Sequence, residues 1–134
     1  MKTAAVRFLI LAGLLALPIF AVVRLGVGYR WAGAYALVVS GVTYWVYAVD
    51  KRRAQENAWR VAEARLHLLE LLGGWPGAFV AQRRLRHKCS KVSYQSVFWL
   101  IVLAYQFAAA DSLQGWKLSH AALNQIAARS EHQK

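Results

Sequence analysis

The chain has 134 residues, of which 58% are hydrophobic and 17% charged. Soluble domains average about 45–50% and about 25%, so this composition excludes a disordered chain and argues against an ordinary water-soluble domain. Seventeen Lys and Arg against six Asp and Glu give a formal net charge of +11, which suits an anionic partner such as a lipid surface or another polyanion. The single cysteine, Cys89, excludes an internal disulfide and a CxxC metal site.

Three long uncharged runs follow in chain order. Phe8 to Val23 has sixteen residues, preceded by Lys2 and Arg7; Trp31 to Val49 has nineteen, and so does Val92 to Ala110. At about 1.5 Å per residue, nineteen helical residues reach about 28 Å, close to the ~30 Å of a bilayer's hydrocarbon core. The first run reaches that length only if Thr3 to Arg7 join it, with Arg7 snorkelling back toward the headgroups. A secretory signal peptide is the rival reading of this run, with Ile19 a poor residue three positions before a cut after Ala21.

Residues 59–72 are expected to form an amphipathic helix. On it Arg60, Glu63, His67 and Glu70 share one polar face at spacings of 3, 4 and 3. The spacing allows Arg60–Glu63 and His67–Glu70 pairs. One imidazole between two carboxylates can relay protons or hold a metal, although one helix shows too few ligands for a metal site. The alternative is a plain solvated or protein-facing stripe. The helix runs into Gly73, Gly74, Trp75, Pro76 and Gly77, which break it and are expected to form a tight reversal with Trp75 at the tip. An anion-holding nest of backbone N–H groups is the other reading of the pentad. Without a Gly-Lys-Ser/Thr ending, a nucleotide P-loop is not supported.

The stretch Leu66–Gln82 either crosses the membrane as two half-helices or dips in and returns. Ten of the seventeen basic residues fall within positions 50–91. The positive-inside rule therefore favours a non-crossing hairpin, re-entrant or interfacial, with the N-terminus and residues 50–91 cytoplasmic. The densest basic run holds Arg83, Arg84, Arg86, His87, Lys88 and Lys91, and Lys51 belongs to the same side. These seven are candidate anion- or lipid-headgroup-binding residues; the alternative is a topology determinant with nonspecific lipid contact. Nucleic-acid binding has thin support, because only Tyr94 follows the run closely. Cys89 is expected to be inert. The tail, 111–134, is expected to carry a weakly amphipathic surface helix with Trp116, Leu123, Ile126 and Ala127 on one face.

Five short motifs occur in order: Val49-Asp50-Lys51, Trp59-Arg60-Val61-Ala62-Glu63, Leu66-His67, the glycine pentad, and Arg86-His87-Lys88 with Lys91. Over roughly residues 30–110 the chain resembles DUF1294, a family of small bacterial integral membrane proteins of unknown function. Relatives in that pattern carry Thr more often at the position of Cys89 and Pro at that of Ala62. The resemblance implies a bacterial inner-membrane location and no established activity.

The expected architecture is a single all-α membrane domain with three transmembrane helices and a helical hairpin. Three functions compete. The first is a binding or accessory protein whose basic face engages anionic headgroups, as a monomer, a homo-oligomer or beside another membrane protein. The second is an enzyme acting on a lipid-borne phosphate, with His67 as acid or base, Glu63 orienting it, and Arg86 and Lys88 holding the phosphate. The third is a transporter subunit with Ser93, Gln95, Ser96 and Gln106 along a pathway. No catalytic triad, metal set or cofactor motif is expected.

Overall fold

The computed structural model describes residues 2–26, 28–88 and 90–131; Cys89 lies outside them, as do the last three residues. The described residues are helical, with no strand among them. The helices are α1 (Lys2–Arg24), α2 (Tyr29–Gln55), α3 (Glu63–Leu69), α4 (Trp75–Leu85), α5 (Val92–Leu113) and α6 (Lys117–Glu131). Three of them, α1, α2 and α5, are long and apolar enough to cross a membrane. Pro18 stands inside α1, a residue bilayer helices tolerate.

The surface is far more apolar than that of a water-soluble protein, and the mainly apolar core also holds charged groups. Phe8, Trp31 and Leu37 are 71%, 83% and 77% exposed, while Asp50, Glu70 and Asp111 are fully buried. In water so many bare apolar side chains would aggregate. Against lipid they cost nothing, and the polar groups collect inside the bundle where they can satisfy one another.

The expected helix over 59–72 begins later, at Glu63. Asp50 Oδ1 accepts the Val61 backbone N–H at 2.9 Å, which holds the preceding segment out of the helix. Ala62 takes the extended angles φ −60°, ψ 135°. From there α3 runs antiparallel to α2. Its start meets Asp50, Glu70 meets Tyr47, and the Leu72 carbonyl accepts from the Tyr35 hydroxyl at 2.7 Å. α4 then returns parallel to α2, passing Ser40 at Gly77 and Tyr47 at Gln82, and ending where Lys51 Nζ donates to the Leu85 carbonyl at 2.7 Å.

The reversal between α3 and α4 is a wide π-type turn over Glu70–Gly74, broken at Gly73 (φ 111°). Only glycine takes that angle without strain. Carbonyls at the break are met from both sides: Tyr35 of α2 donates to Leu72 O, and Tyr105 of α5 donates to Leu71 O. Gly74 and Gly77 serve closeness instead. A Cβ on Gly74 would lie 2.0 Å from Thr43 Oγ1, and one on Gly77 would lie 2.1 Å from the Ser40 carbonyl. At Gly77 backbone thus packs on backbone, as at small-residue helix crossings in membranes, and at Gly74 the missing side chain makes room for Thr43. Trp75 is not at an exposed tip. It is 2% exposed and opens α4 inside the core, near Tyr105, with Pro76 in the first turn. Proline is at home there because it lacks an N–H that would go unpaired anyway.

α5 runs antiparallel to α2, with Tyr94 beside Tyr47 and Tyr105 at the turn. α1 packs on α5, where Gln106 Nε2 donates to the Leu14 carbonyl at 2.6 Å. Its N-terminal part lies by Arg83 and Arg84 of α4. The start of α1, the end of α2, both outer ends of the α3–α4 hairpin and the start of α5 therefore share one end of the molecule. At the other end, Asp111 accepts the N–H groups of Leu118 and Ser119 at 2.9 and 3.1 Å, capping α6.

Candidate functional site

Two acids, one on α2 and one on the hairpin, organise the basic end. Asp50 ends the second apolar run and is fully buried. Besides Val61 N–H, its carboxylate meets His87 Nε2 at 2.7 Å, Lys88 Nζ at 3.3 Å and Arg60 at 3.9 Å. The backbone that delivers His87 and Lys88 is unusual. Arg86 and Lys88 both take left-handed angles, φ 49° and 58°. Each costs an L-residue about 1–2 kcal/mol, and the bonds to Asp50 offset that cost. Lys88 also lies 3.7 Å from Glu63, and Lys91 is bonded to Glu63 at 2.7 Å. The Lys91 ammonium holds the Glu63 carboxyl below its ordinary value, with Lys88 adding to the effect.

About one helical turn deeper lies Glu70, also fully buried. Its Oε1 accepts from the hydroxyls of Tyr47 and Tyr94, the latter at 2.9 Å, and its Oε2 meets His67 Nδ1 at 2.7 Å. Gln82 Nε2 donates to the Tyr47 hydroxyl at 3.1 Å, and Gln95 Nε2 to Gln82 Oε1 at 2.6 Å. The two levels join at Tyr94. His67 stacks on its ring at 4.1 Å, and Lys88 Nζ stands 4.9 Å from the same ring's centre. Among the described residues no buried side-chain N or O lacks a partner. Both carboxylates are saturated from within, so the cluster ties α2, the hairpin and α5 together.

Of the predicted polar stripe, His67 and Glu70 pair as expected. Arg60 does not pair with Glu63: it precedes α3 and turns to Asp50, while Glu63 turns to the lysines. The basic run divides. Lys51, His87, Lys88 and Lys91 bond to a carbonyl or an acid of the chain itself. Arg84 and Arg86 are exposed and make no ion pair among the described residues, and Arg83 lies 3.5 Å over the Phe79 ring. The phosphate-holding pair imagined for an enzyme is therefore split, Lys88 facing inward and Arg86 outward. Gln95, Ser96 and Gln106 spend hydrogen bonds on Gln82, the Val92 carbonyl and the Leu14 carbonyl rather than on a shared path, and Ser93 is exposed. Among the described residues no three His, Cys, Asp or Glu are grouped to hold a metal.

Tyr47, Tyr94, Gln82 and Asp50 were not singled out as site residues from sequence. The available signal was an acid closing an apolar run, with a tyrosine three residues before it on the same helical face.

The family described as "Protein of unknown function (DUF1294)" matches residues 40–94, a narrower stretch than the 30–110 expected from the motifs. It spans the cluster from Tyr47 through Tyr94. The uncharacterized protein YsdA of Bacillus subtilis (strain 168) is 34% identical over 62 residues, covering 46% of this chain and 70% of YsdA. No solved structure matches.

Proposed function

This chain belongs to the DUF1294 family of proteins of unknown function, a membership that carries no activity, and from its geometry we propose that it is a multi-pass protein of the bacterial inner membrane that binds anionic lipid surfaces. In this reading α1, α2 and α5 span the bilayer and α3–α4 is a re-entrant hairpin that enters and leaves on the cytoplasmic side. The observation that carries it is the division of the basic end. The inward cations neutralise Asp50 and Glu63, whereas Arg52, Arg65, Arg84 and Arg86 stand exposed around them. Internal locking and outward charge are thus supplied by different residues. Each exposed cation near an anionic leaflet contributes about 1 kcal/mol.

The test is flotation of the purified protein in nanodiscs with added vesicles. Vesicles with 30% phosphatidylglycerol should capture it, and phosphatidylcholine vesicles should not; neutralising Arg52, Arg65, Arg84 and Arg86 to Gln should abolish the difference. Equal capture of wild type and the quadruple variant refutes the proposal.

A further inference from the structure

The four acids that make internal bonds leave a distinct set of arginines without a counter-charge. Asp50 is occupied by His87 and Lys88, Glu63 by Lys91, Glu70 by His67 and the two tyrosines, and Asp111 by the start of α6. Arg7 of α1 and Arg84 of α4 make no ion pair among the described residues. Yet they line, with Arg83, one groove of about 290 Å³ between α1 and α4. Below them the groove is apolar, walled by Phe8 and Leu11 of α1 and Phe79 and Val80 of α4. The Arg83 guanidinium is set in place over the Phe79 ring, with a 3.4 Å hydrogen bond to the Phe79 carbonyl.

A soluble anion would use the arginines and gain nothing from the apolar wall. An uncharged acyl chain would use the wall and leave the arginines unpaired. An amphiphile with a phosphate at one end satisfies both, and basic pockets between membrane helices on the cytoplasmic side hold such headgroups. Arginine adds bidentate geometry to the phosphate. We infer that the α1–α4 groove is a site for one anionic phospholipid, its acyl chain along Phe8, Leu11 and Val80 and its phosphate between Arg7 and Arg84. This rests on the proposed lipid-binding reading and sharpens it from a surface to a site. The lipid also supplies a physical link between α1 and the hairpin, joining the N-terminal helix to the part of the chain matched by the family.

The test is native mass spectrometry of the full chain in neutral detergent, titrated with phosphatidylglycerol, with phosphatidylcholine of the same acyl chains, and with glycerol phosphate. One phosphatidylglycerol should be retained at concentrations where phosphatidylcholine is not, and millimolar glycerol phosphate should not displace it. Arg7→Gln/Arg84→Gln should weaken this first lipid at least tenfold. Ala4 of α1 also lines the groove, and Ala4→Trp, which fills it and keeps every arginine, should do the same. Arg52→Gln/Arg65→Gln removes equal charge from the rim; it should lower vesicle capture but change the first lipid less than twofold. If the groove pair and the rim pair weaken the first lipid equally, or Ala4→Trp leaves it intact, the site is refuted while surface binding stands. Displacement by glycerol phosphate refutes it in favour of a soluble phosphate. Absence of any preference for phosphatidylglycerol in this titration refutes the site, and only equal capture by the two kinds of vesicle refutes the surface reading as well.

Discussion

Asp50→Ala removes the acceptor on which four groups converge. Lys88, whose side chain is 4% exposed, loses its 3.3 Å partner and keeps Glu63 at 3.7 Å and the Tyr94 ring. His87 loses a 2.7 Å bond and Val61 N–H a 2.9 Å bond. Removing one partner of a buried ion pair costs about 3–5 kcal/mol. The orphaned Val61 N–H adds about 1 kcal/mol. The left-handed angles at Arg86 and Lys88 would then lack the bonds that offset them. A total of about 4–6 kcal/mol is expected, enough to unfold many domains. Glu63→Ala is the internal comparison. Its side chain is 38% exposed, so losing its pairs should cost no more than about 1 kcal/mol. Equilibrium unfolding in mixed micelles, followed by Trp fluorescence, measures both. Asp50→Leu/Lys88→Met should recover part of the loss, because it removes the stranded ammonium together with its partner. If Asp50→Ala costs no more than Glu63→Ala, or the double variant is worse than the single, the acid is not the keystone described here.

Other perturbations test the same architecture. Gly77→Ala would place a methyl 2.1 Å from the Ser40 carbonyl, so α4 must shift; a loss of about 1–3 kcal/mol or more is expected, whereas Gly33→Ala, with open space around it, should be nearly silent in the same unfolding assay. Tyr35→Phe and Tyr105→Phe each remove a hydroxyl bond to a carbonyl at the Gly73 break; about 0.5–1.5 kcal/mol apiece is expected, with faster amide exchange confined to residues 70–75. The pH dependence at Glu63 has a definite sign. Because Lys91 lowers its folded-state pKa below the ordinary 4.5, its contribution is present above about pH 4.5 and disappears as pH falls through the depressed value. Wild type should therefore lose slightly more stability than Glu63→Gln between pH 6 and pH 3, and matching slopes would refute the assignment.

Hydropathy, charge distribution and helix-breaking chemistry are local sums, and they were legible without coordinates. Uncharged runs of sixteen and nineteen residues correspond to α1, α2 and α5. The clustering of basic residues in 50–91 corresponds to one end of the bundle, and the glycine pentad holds the break at Gly73. The i,i+3 pair His67–Glu70 was legible for the same reason, since one helix carries both partners. Arg60–Glu63 failed as a pair because Asp50, ten and thirteen residues away from them, holds the backbone at Val61 out of the helix. A local spacing rule has no view of such a competitor. The joining of Asp50 to His87 across 37 positions, and of Glu70 to Tyr47 and Tyr94 across 23 and 24, depends on how closely α4 approaches α2. That approach is set by the close contacts of Gly74 with the Thr43 side chain and of Gly77 with the Ser40 backbone. Composition therefore specifies a basic chain with helices apolar enough to cross a membrane. Three-dimensional packing assigns each cation its place, because a buried carboxylate recruits whichever charges the helix crossings bring within about 3 Å and leaves the others exposed.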